Sequence, residues 1–448
     1  MARSTQESHG GPRMLAARVL HRVVEEDAYV ALALDAALGR AGTLAAPDRG
    51  LATELVYGTL RHLARLDAAL GQACTRPLKK VDALLLCHAR VGAYEMLALG
   101  TPDHAAVNEA VTAARRSRGP GAGGFLNGVL RGLARLRDSG ALAPSPSDDT
   151  AAVVARTGVP AWLVEDVRAR LGPAEAAAFA AQSLERPRVH LCVPRPGDRD
   201  ATAALLVGAG VEAEAHPWCA TGVVLEPGSG SWEKLEGIVG TRALVQNVSS
   251  QCVAGWAARV AGTGAVLDLC AAPGGKSSVL RAAGADVTAV DVHVDKLHLA
   301  RKQWARLGLA VRAVAADGTR PPFADGAFPV VLLDAPCTGS GLLARRPEMK
   351  LRRGEDVLAR LVALQRGLLD AAAGLVSPGG SLLYSVCSVS NAEGPAQVDA
   401  FLARHPSFRR AACALPVPED ALEEGALALW PHRHGVDGFY AARLQRGI

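Results

Sequence analysis

Short apolar runs alternate with helical stretches in the C-terminal half of this chain, and this alternation limits the possible folds more than any other feature. The runs occupy residues 265–270, 287–292, 311–315, 329–334 and 381–387. Strands buried on both faces read as continuous apolar runs, and helical crossovers between them make the strands parallel. The pattern therefore predicts a doubly wound α/β sheet of the Rossmann-like type from about residue 241 to 448. A ligand site is expected at the carboxyl ends of its strands.

The first third of the chain has a different pattern. Apolar residues recur at helical spacing over residues 13–140, which predicts an all-α domain at 12–140. The repeating positions are Leu15, Val19, Leu20, Val23 and Val24, then Leu51, Leu55, Leu60, Leu63 and Leu66. The glycine-rich stretch 119–124 is expected to interrupt the helices, and the Pro- and Ser-rich stretch 139–149 to form a linker.

A third pattern lies between these two regions. Short mixed elements, with helices near 161–171 and 199–209 and strands at 188–193 and 222–226, predict a small α+β module at 155–240. With 448 residues the chain is long enough for three such domains.

Composition narrows the possible functions. The nine cysteines include no C-x-x-C pair, so neither a zinc ribbon nor a thioredoxin-like redox motif is present, and no metal site is expected. No run of 18 apolar residues occurs and the N-terminus is polar, which predicts a cytoplasmic protein without a membrane partner. The formal charge of +5 lies in the first third, where residues 1–145 hold 18 Lys and Arg against 13 Asp and Glu. Such an excess suits phosphate-bearing partners and also an ordinary solvated surface.

The first apolar run of the sheet leads into a loop of small residues and then a helix. This loop is formed by Cys270, Ala271, Ala272, Pro273, Gly274, Gly275 and Lys276. Small residues allow a ligand to approach the backbone, and amides at a helix start can bind it. The loop lacks glycines that the P-loop motif and the dinucleotide-binding motif each require, which weakens a phosphate-binding interpretation.

Aspartates follow the next three strands. Asp291 lies where a carboxylate takes a ribose diol, Asp317 can reach an adenine amino group, and Asp334 ends the fourth strand. Each alone is more often a helix cap or turn residue. Together with the loop they favour a nucleoside cofactor without a pyrophosphate.

Two cysteines complete this strand edge. Cys337 follows Asp334 in Asp-Ala-Pro-Cys, and Cys387 ends the fifth run. Either alone could be a buried filler, but at this edge a nucleophilic role is favoured. A thiolate beside a methyl donor suits methylation of pyrimidine C5, because addition of sulfur to C6 activates C5. Asp334, protonated or hydrogen-bonded to the ring, would assist this addition. The base must be unstacked to enter such a pocket.

These motifs resemble the bacterial RsmB/Sun (Fmu) group of RNA 5-methylcytosine methyltransferases over nearly the full chain. The matching segments are 270–276, 334–337, 378–388 and the terminal Asp-Gly-Phe-Tyr at 437–440. In the first third, Val-Asn-Glu-Ala-Val at 107–111 and Gly-Phe-Leu-Asn-Gly-Val-Leu at 124–130 are similar to the NusB RNA-binding fold.

The resemblance implies S-adenosylmethionine as the cofactor. It also implies that the 270–276 loop, Asp291, Asp317 and Asp334 contact this cofactor or the target base. Cys387 would be the nucleophile and Cys337 the residue that helps break the covalent adduct. The implied substrate is a cytosine in small-subunit ribosomal RNA, and a monomer is expected.

Three positions depart from the family's usual residues. Val386 replaces Thr before the nucleophile, Asn247 replaces Asp, and Pro194 replaces Asn in the middle module. None of them changes the two thiols.

Two alternatives remain open at this stage. The same chemistry could act on transfer RNA. The alternative from another class is a NusB-like RNA-binding or assembly factor whose catalytic domain is vestigial. A domain that had lost its activity should also have lost a thiol, the loop or Asp334, and all of these are present.

Overall fold

A computed structural model describes residues 11–42, 44–143, 147–229, 232–352 and 354–448. The chain divides into two compact units, a first of Met1–Arg186 with Leu343–Arg352 and a second of Pro187–Leu342 with Arg353–Ile448. Within the described ranges, no helix combines the length and the apolar character needed to span a bilayer.

The first unit is helical, as predicted for residues 12–140, and it also contains the helix near 161–171 that was predicted as part of the middle module. Its helices are α1 (Pro12–Glu25), α2 (Val30–Arg40), α3 (Ala46–Arg61), α4 (Leu63–Ala73), α5 (Ala83–Leu97), α6 (Asp103–Arg118), α7 (Pro120–Asp138), α8 (Thr150–Thr157), α9 (Ala161–Leu171), α10 (Pro173–Gln182) and α16 (Met349–Arg352), with a 3-10 turn at Leu78–Lys80. The leucines of the periodic pattern lie in its core, with Leu20 and Leu55 fully buried. The second set of the pattern spans two helices, because α3 ends at Arg61 and α4 begins at Leu63.

The glycine-rich interruption predicted at 119–124 is shorter than expected. Only Gly119, at φ +87°, separates α6 from α7, and α7 begins with Pro120 at its first position. Proline is well suited to the first helical turn, since its missing N–H has no partner there in any case. Gly123 is needed inside the helix because an added Cβ would lie 2.3 Å from Cγ of Arg115. Part of the predicted linker, residues 144–146, lies outside the described residues.

Residues 343–352 pack in the first unit, although they lie far from it in sequence. Lys350 is buried, and its Nζ donates hydrogen bonds to the carbonyl oxygens of Thr157 at 2.8 Å and Arg61 at 3.1 Å. Burial lowers the pKa of Lys350 to about 7. No sequence pattern predicted this arrangement, because each of its contacts is to backbone.

The second unit contains the mixed elements predicted between residues 188 and 226. Four antiparallel strands form a sheet in the order β2-β3-β1-β4. The elements are β1 (Val189–Cys192), α11 (Arg199–Gly208), β2 (Ala213–Ala215), β3 (Gly222–Leu225), α12 (Trp232–Leu235) and β4 (Leu244–Val245). Strands β2 and β4 were not predicted because two or three residues carry too little pattern.

The second unit also contains a sheet of nine strands, and the predicted α/β fold is confirmed. Five parallel strands run in the order β7-β6-β5-β8-β9, and four antiparallel strands continue beyond β9. The strands are β5 (Ala265–Leu269), β6 (Asp286–Asp291), β7 (Arg312–Ala315), β8 (Phe328–Asp334), β9 (Val376–Val386), β10 (Phe408–Ala411), β11 (Leu422–Glu423), β12 (Ala426–Leu429) and β13 (Phe439–Arg446). The helices are α13 (Val248–Ala261), α14 (Gly275–Ala282), α15 (Val294–Arg306), α17 (Glu355–Leu375), α18 (Pro395–Arg404) and α19 (Pro431–His434), with 3-10 turns at Ser340–Leu342 and Glu419–Ala421. The antiparallel extension was not predicted.

Candidate active site

The strand order brings the predicted site residues to one edge of the sheet. The chain moves from β5 to β6 on one side and to β8 on the other, so the crevice at which strand order reverses lies beside β5. Strands β8 and β9 are neighbours in parallel register, with Asp334 opposite Ser385. Residues about 50 positions apart in sequence therefore become adjacent at the carboxyl ends of these strands.

The loop after β5 has the shape of a cradle that side chains would obstruct. Cys270 and Gly274 both adopt positive φ angles, +65° and +95°. A Cβ at Gly274 would lie 2.8 Å from the Trp304 ring, whose Nε1 donates to the Gly274 carbonyl at 3.0 Å. Gly275, which starts α14, is backed by the side chain of Gln246. The loop backbone at Gly274 is thus held directly against α15.

Two predicted cofactor contacts lie next to this loop. Asp291 is buried at the end of β6, where it accepts hydrogen bonds from the backbone N–H of Ala272 at 3.0 Å and of His293 at 2.8 Å. It therefore braces the loop, a role that the sequence did not suggest. Asp317 is exposed after β7, and the Thr319 backbone N–H and hydroxyl, each at 2.8 Å, lower the pKa of Asp317.

Asp268 is a buried carboxylate that sequence reasoning passed over. It lies on β5 and accepts a hydrogen bond from the Ser277 hydroxyl at 2.5 Å. Burial raises the pKa of Asp268 to about 7. Its Oδ1 has no hydrogen-bond partner among the described residues. An acid that ends an apolar strand two residues before a small-residue loop is the signal that could have identified it.

These residues fit a cofactor that carries positive charge and a nucleoside. The carboxylates of Asp291 and Asp334, at the ends of β6 and β8, favour a sulfonium or ammonium group. Asp317 is exposed after β7, so its carboxylate is accessible to the base or the ribose of a nucleoside. Gly274 lets the loop backbone pack directly against Trp304 and Ala300 of α15.

Asp334 and Lys276 form a close ion pair. Nζ of Lys276 lies 2.6 Å from Oδ2 of Asp334, and the two side chains are 8% and 30% exposed. The second carboxylate oxygen accepts a hydrogen bond from the Ser385 hydroxyl at 2.9 Å. The ammonium also lies 5.3 Å from the centre of the Phe439 ring. Lys276 was expected at the cofactor loop, but its side chain reaches the aspartate of the next strand.

The two predicted thiols are in contact. The Sγ atoms of Cys337 and Cys387 are 3.2 Å apart, and both residues are half-buried free thiols. The hydrogen bond with Cys387, together with burial and the charge of Glu393, raises the pKa of Cys337. Cys337 is therefore a protonated thiol at neutral pH.

A buried network fixes the loop that carries Cys337. Glu393 accepts hydrogen bonds from the Thr338 backbone N–H at 2.8 Å and from its hydroxyl at 2.5 Å. Gln365 donates to the same carboxylate at 3.0 Å and to the Pro336 carbonyl at 2.9 Å. The Gly341 N–H donates to the Cys387 carbonyl at 3.2 Å. No sequence signal pointed to Glu393, because it lies outside the segments with chemical motifs.

Two of the departures from the family pattern are accommodated. Asn247 caps α13, because its Oδ1 accepts from the Ser250 backbone N–H at 2.7 Å, as an aspartate would. Val386 is fully buried at the end of β9, where it opposes Tyr440.

Comparisons with protein families agree with this architecture. The family model described as 16S rRNA methyltransferase RsmB/F matches residues 260–445. The NusB family model matches residues 11–135, and a ferredoxin-like domain model of RsmF/B-like methyltransferases matches residues 159–229.

Individual relatives match nearly the whole chain. A putative methyltransferase of Mycobacterium tuberculosis, Rv1407, is 39% identical over 97% of this chain and 96% of its own length. Ribosomal RNA small subunit methyltransferase B of Erwinia tasmaniensis is 35% identical, over 96% of this chain and 98% of its own length. The crystal structure of PH0851 superposes with a TM-score of 0.78 at 24% identity, covering 97% of this chain and 99% of that one.

Proposed function

This chain belongs to the RsmB/F family of 16S rRNA methyltransferases and is an S-adenosylmethionine-dependent rRNA methyltransferase; we propose that it forms 5-methylcytosine in small-subunit rRNA. The reaction would pass through a covalent bond between Cys387 and C6 of the cytosine. The observation that carries the proposal is the pair of thiols 3.2 Å apart, beside the Asp334–Lys276 ion pair.

Cys387 is the proposed nucleophile. C5 of cytosine is a weak nucleophile, and addition of a thiolate to C6 converts it into an enamine-like carbon. Cys387 lies directly after β9 at the sheet edge, while its neighbour Cys337 keeps its proton because its pKa is raised. In this proposal Cys387 is the nucleophile and Cys337 carries the proton.

Asp334 is proposed to orient and activate the base. Its carboxylate can accept a hydrogen bond from the exocyclic amine of cytosine at the entrance between β8 and β9. The Lys276 ammonium, 2.6 Å from that carboxylate, places a positive charge where electron density gathers on the ring during addition. Ser385 fixes the carboxylate from the other side.

S-adenosylmethionine supplies an electrophilic methyl group on a sulfonium centre. Within this chain, the 270–276 loop, Asp291 and Asp317 are the residues proposed to hold it, with Asp268 completing the acidic edge. Asp291 also keeps the loop in shape through the Ala272 N–H.

Cys337 is proposed to act in release. After methylation, C5 must lose its proton while the bond between Cys387 Sγ and C6 breaks. The Cys337 thiol is 3.2 Å from the departing sulfur and can donate its proton to it. The Cys337 thiolate that results would take the proton from C5, which restores the Cys337 thiol and leaves 5-methylcytosine.

The remaining assignments are also proposals. The domain boundaries are those predicted above, at 12–140, 155–240 and 241–448. All residues of the mechanism lie in one unit of one chain, so a monomer suffices. An enzyme that modifies ribosomal RNA is expected to act in the cytoplasm.

The test is identification of the product. Wild-type protein is incubated with methyl-labelled S-adenosylmethionine and small-subunit rRNA transcribed in vitro, and the digested nucleosides are separated by mass. Labelled 5-methylcytidine supports the proposal, and bisulfite sequencing then locates it. Another methylated nucleoside, or label in transfer RNA in preference to rRNA, would overturn it.

A further inference from the structure

The Asp-Gly-Phe-Tyr segment at 437–440 leads into β13, and the proposed reaction gives it no role. We propose that Phe439 is a positioning residue of the active site, whose ring face holds the Lys276 ammonium against Asp334. The inference rests on the proposed function, because it concerns the same ion pair that is to act on the cytosine.

The topology of the sheet brings Phe439 to the edge where the thiols lie. Strand β13 runs antiparallel to β9, so its first residue, Phe439, lies beside the carboxyl end of β9. The next residue, Tyr440, is opposite Val386, which directly precedes Cys387. Phe439 is therefore close to the residues of the proposed reaction without being one of them.

The Lys276 ammonium has little else to hold it in place. Its side chain is 8% exposed, and within the described ranges its one hydrogen-bond partner is Oδ2 of Asp334, at 2.6 Å. An ammonium carries three N–H groups at the end of a flexible stem. One carboxylate oxygen therefore leaves the direction of this side chain underdetermined, and a second contact is needed to fix it.

The Phe439 ring supplies the second contact. Nζ of Lys276 lies over its face, 5.3 Å from the ring centre. The face of an aromatic ring carries partial negative charge and attracts a cation at such a distance, more strongly where water is excluded. Both residues are buried, so water screens this attraction little.

Backbone contacts hold the segment that carries the ring. The Gly438 N–H donates to the Gly341 carbonyl at 2.9 Å, and the Asp437 carbonyl accepts from the Ser249 hydroxyl at 2.6 Å. Gly341 has no room for a side chain, since an added Cβ would lie 2.0 Å from the Gly438 carbonyl oxygen. Phe439 is thus a fixed surface against which a flexible lysine can be placed.

Packing alone does not require an aromatic residue here. Phe439 belongs to an apolar cluster with Leu429 and Val436, in which an aliphatic side chain could also fill space. An aliphatic side chain has no negative face to offer the ammonium. The two roles therefore predict different results when the charge of the ring face changes and its shape does not.

The experiment makes that change in the full-length protein. Mono-, di- and trifluorinated phenylalanine are incorporated in turn in place of Phe439, and each fluorine withdraws electron density from the ring face. Methyl transfer to small-subunit rRNA is measured in single turnovers at saturating RNA and S-adenosylmethionine. We expect the rate to fall step by step, by about tenfold for the trifluorinated ring, the order of a desolvated cation–π contact. The rate of Phe439→Leu should fall at least as far.

Phe328 provides the matched control. It is buried on β8, where its ring packs edge-on against Phe323 at 5.2 Å, and no cation lies over it in the part of the chain that the structure describes. The same fluorinated series in place of Phe328 should leave the rate within about twofold of wild type.

The outcomes separate this inference from the proposed function. A constant rate across the fluorinated series at Phe439, even with a loss in Phe439→Leu, would show that the ring only fills the core and overturn the inference. Equal losses in the Phe328 series would overturn it as well. The product is identified in the same reactions, and a nucleoside other than 5-methylcytidine would sink the proposed chemistry. The graded dependence on Phe439 is then read from that methyl transfer and stands or falls by itself.

Discussion

The two cysteine side chains that touch each other, Cys337 and Cys387, lie in different local surroundings. Cys337 follows β8, where its hydrogen bond with the Cys387 thiol, its burial and the charge of Glu393 behind its loop raise its pKa. Cys387 follows β9, and its carbonyl accepts a hydrogen bond from the Gly341 backbone N–H. Chemical reactivity at this scale depends on which thiol keeps its proton.

Replacing Cys387 by Ser should abolish methyl transfer. A hydroxyl lacks the nucleophilicity of a thiolate, so single-turnover rates should fall by on the order of 10⁴-fold or more, as for loss of other covalent nucleophiles. The affinity for S-adenosylmethionine, measured by calorimetry, should stay within about twofold, since donor contacts are unchanged. Cys74→Ser, at a half-buried thiol on the helical unit, is the matched control. Turnover near wild type in Cys387→Ser would assign the nucleophile to another residue.

Replacing Cys337 by Ala should trap the covalent adduct. The attacking thiol remains, while the proton carrier beside it is lost. The expected result is a protein–RNA band that survives denaturing electrophoresis and requires both RNA and methyl donor. The Cys337→Ala/Cys387→Ser double variant should give no band. If the single variant gives none either, Cys337 has no part in release.

At the scale of elements, the site is made by loops that leave adjacent strands. The 270–276 loop is shaped by Gly274 against α15, and the Cys337 loop by Glu393 and Gln365 from α17 and the segment before α18. Each loop is fixed by groups that do not themselves face the reaction. Such positioning can change the reaction rate by large factors, because small displacements disrupt the geometry of the reacting atoms.

Gly274→Ala should weaken donor binding. The position has φ +95°, where an L-residue costs about 1–2 kcal/mol, and the new methyl group would also lie 2.8 Å from Trp304. We expect the Kd for S-adenosylmethionine to rise by about tenfold or more. Gly262→Ala is the control, because it also has positive φ, at +57°, but has nothing within 4 Å. Equal effects in both variants would mean that backbone strain alone is responsible.

Glu393→Gln should slow turnover without weakening RNA binding. The amide cannot accept from both the backbone N–H and the hydroxyl of Thr338 while it also accepts from Gln365. Misplacement of the Cys337 loop should reduce kcat by about 100-fold, with KM for RNA unchanged. Glu419→Gln, an exposed acid of the same unit, should behave as wild type. A change confined to KM would argue against a positioning role for Glu393.

At the scale of the whole molecule, the helical unit and the sheet unit differ in how they depend on pH. The helical unit half-buries His62 and fully buries His88, and desolvation lowers the pKa of each to about 4. At pH values above 6.5, the ordinary pKa of histidine, both imidazoles are neutral and their contribution to the stability of this unit is complete. This contribution is lost as the pH falls from 6.5 toward 4. The sheet unit buries Asp268, and burial raises the pKa of this residue to about 7. The contribution of Asp268 to the stability of the sheet unit is therefore lost as the pH rises toward 7.

His88→Gln should reduce the acid sensitivity of the helical unit. His88 is 1% exposed and its Nε2 contacts the Ser117 hydroxyl at 2.9 Å, a contact that a neutral amide can retain. Wild-type protein should lose about 2 kcal/mol more unfolding free energy between pH 7 and pH 5 than the variant. Urea denaturation followed by circular dichroism measures this, with the exposed His104→Gln as control. Identical pH dependence in wild type and His88→Gln would exclude His88 as the source.

The sequence by itself determined the fold class and most of the residues at the sheet edge. Apolar runs of β-branched and aliphatic residues specify buried parallel strands, and strand ends in such sheets converge whatever the details. Asp334, Cys337 and Cys387 could therefore be placed at one edge from periodicity and motif alone.

Only the tertiary structure decided which of these groups touch, and which residues hold them. The reach of Lys276 to Asp334, the bracing role of Asp291, the Glu393 network and the burial of Lys350 all depend on contacts between segments distant in sequence. Such contacts leave no periodic trace, because one polar side chain meeting another, or meeting a backbone carbonyl, has no spacing rule.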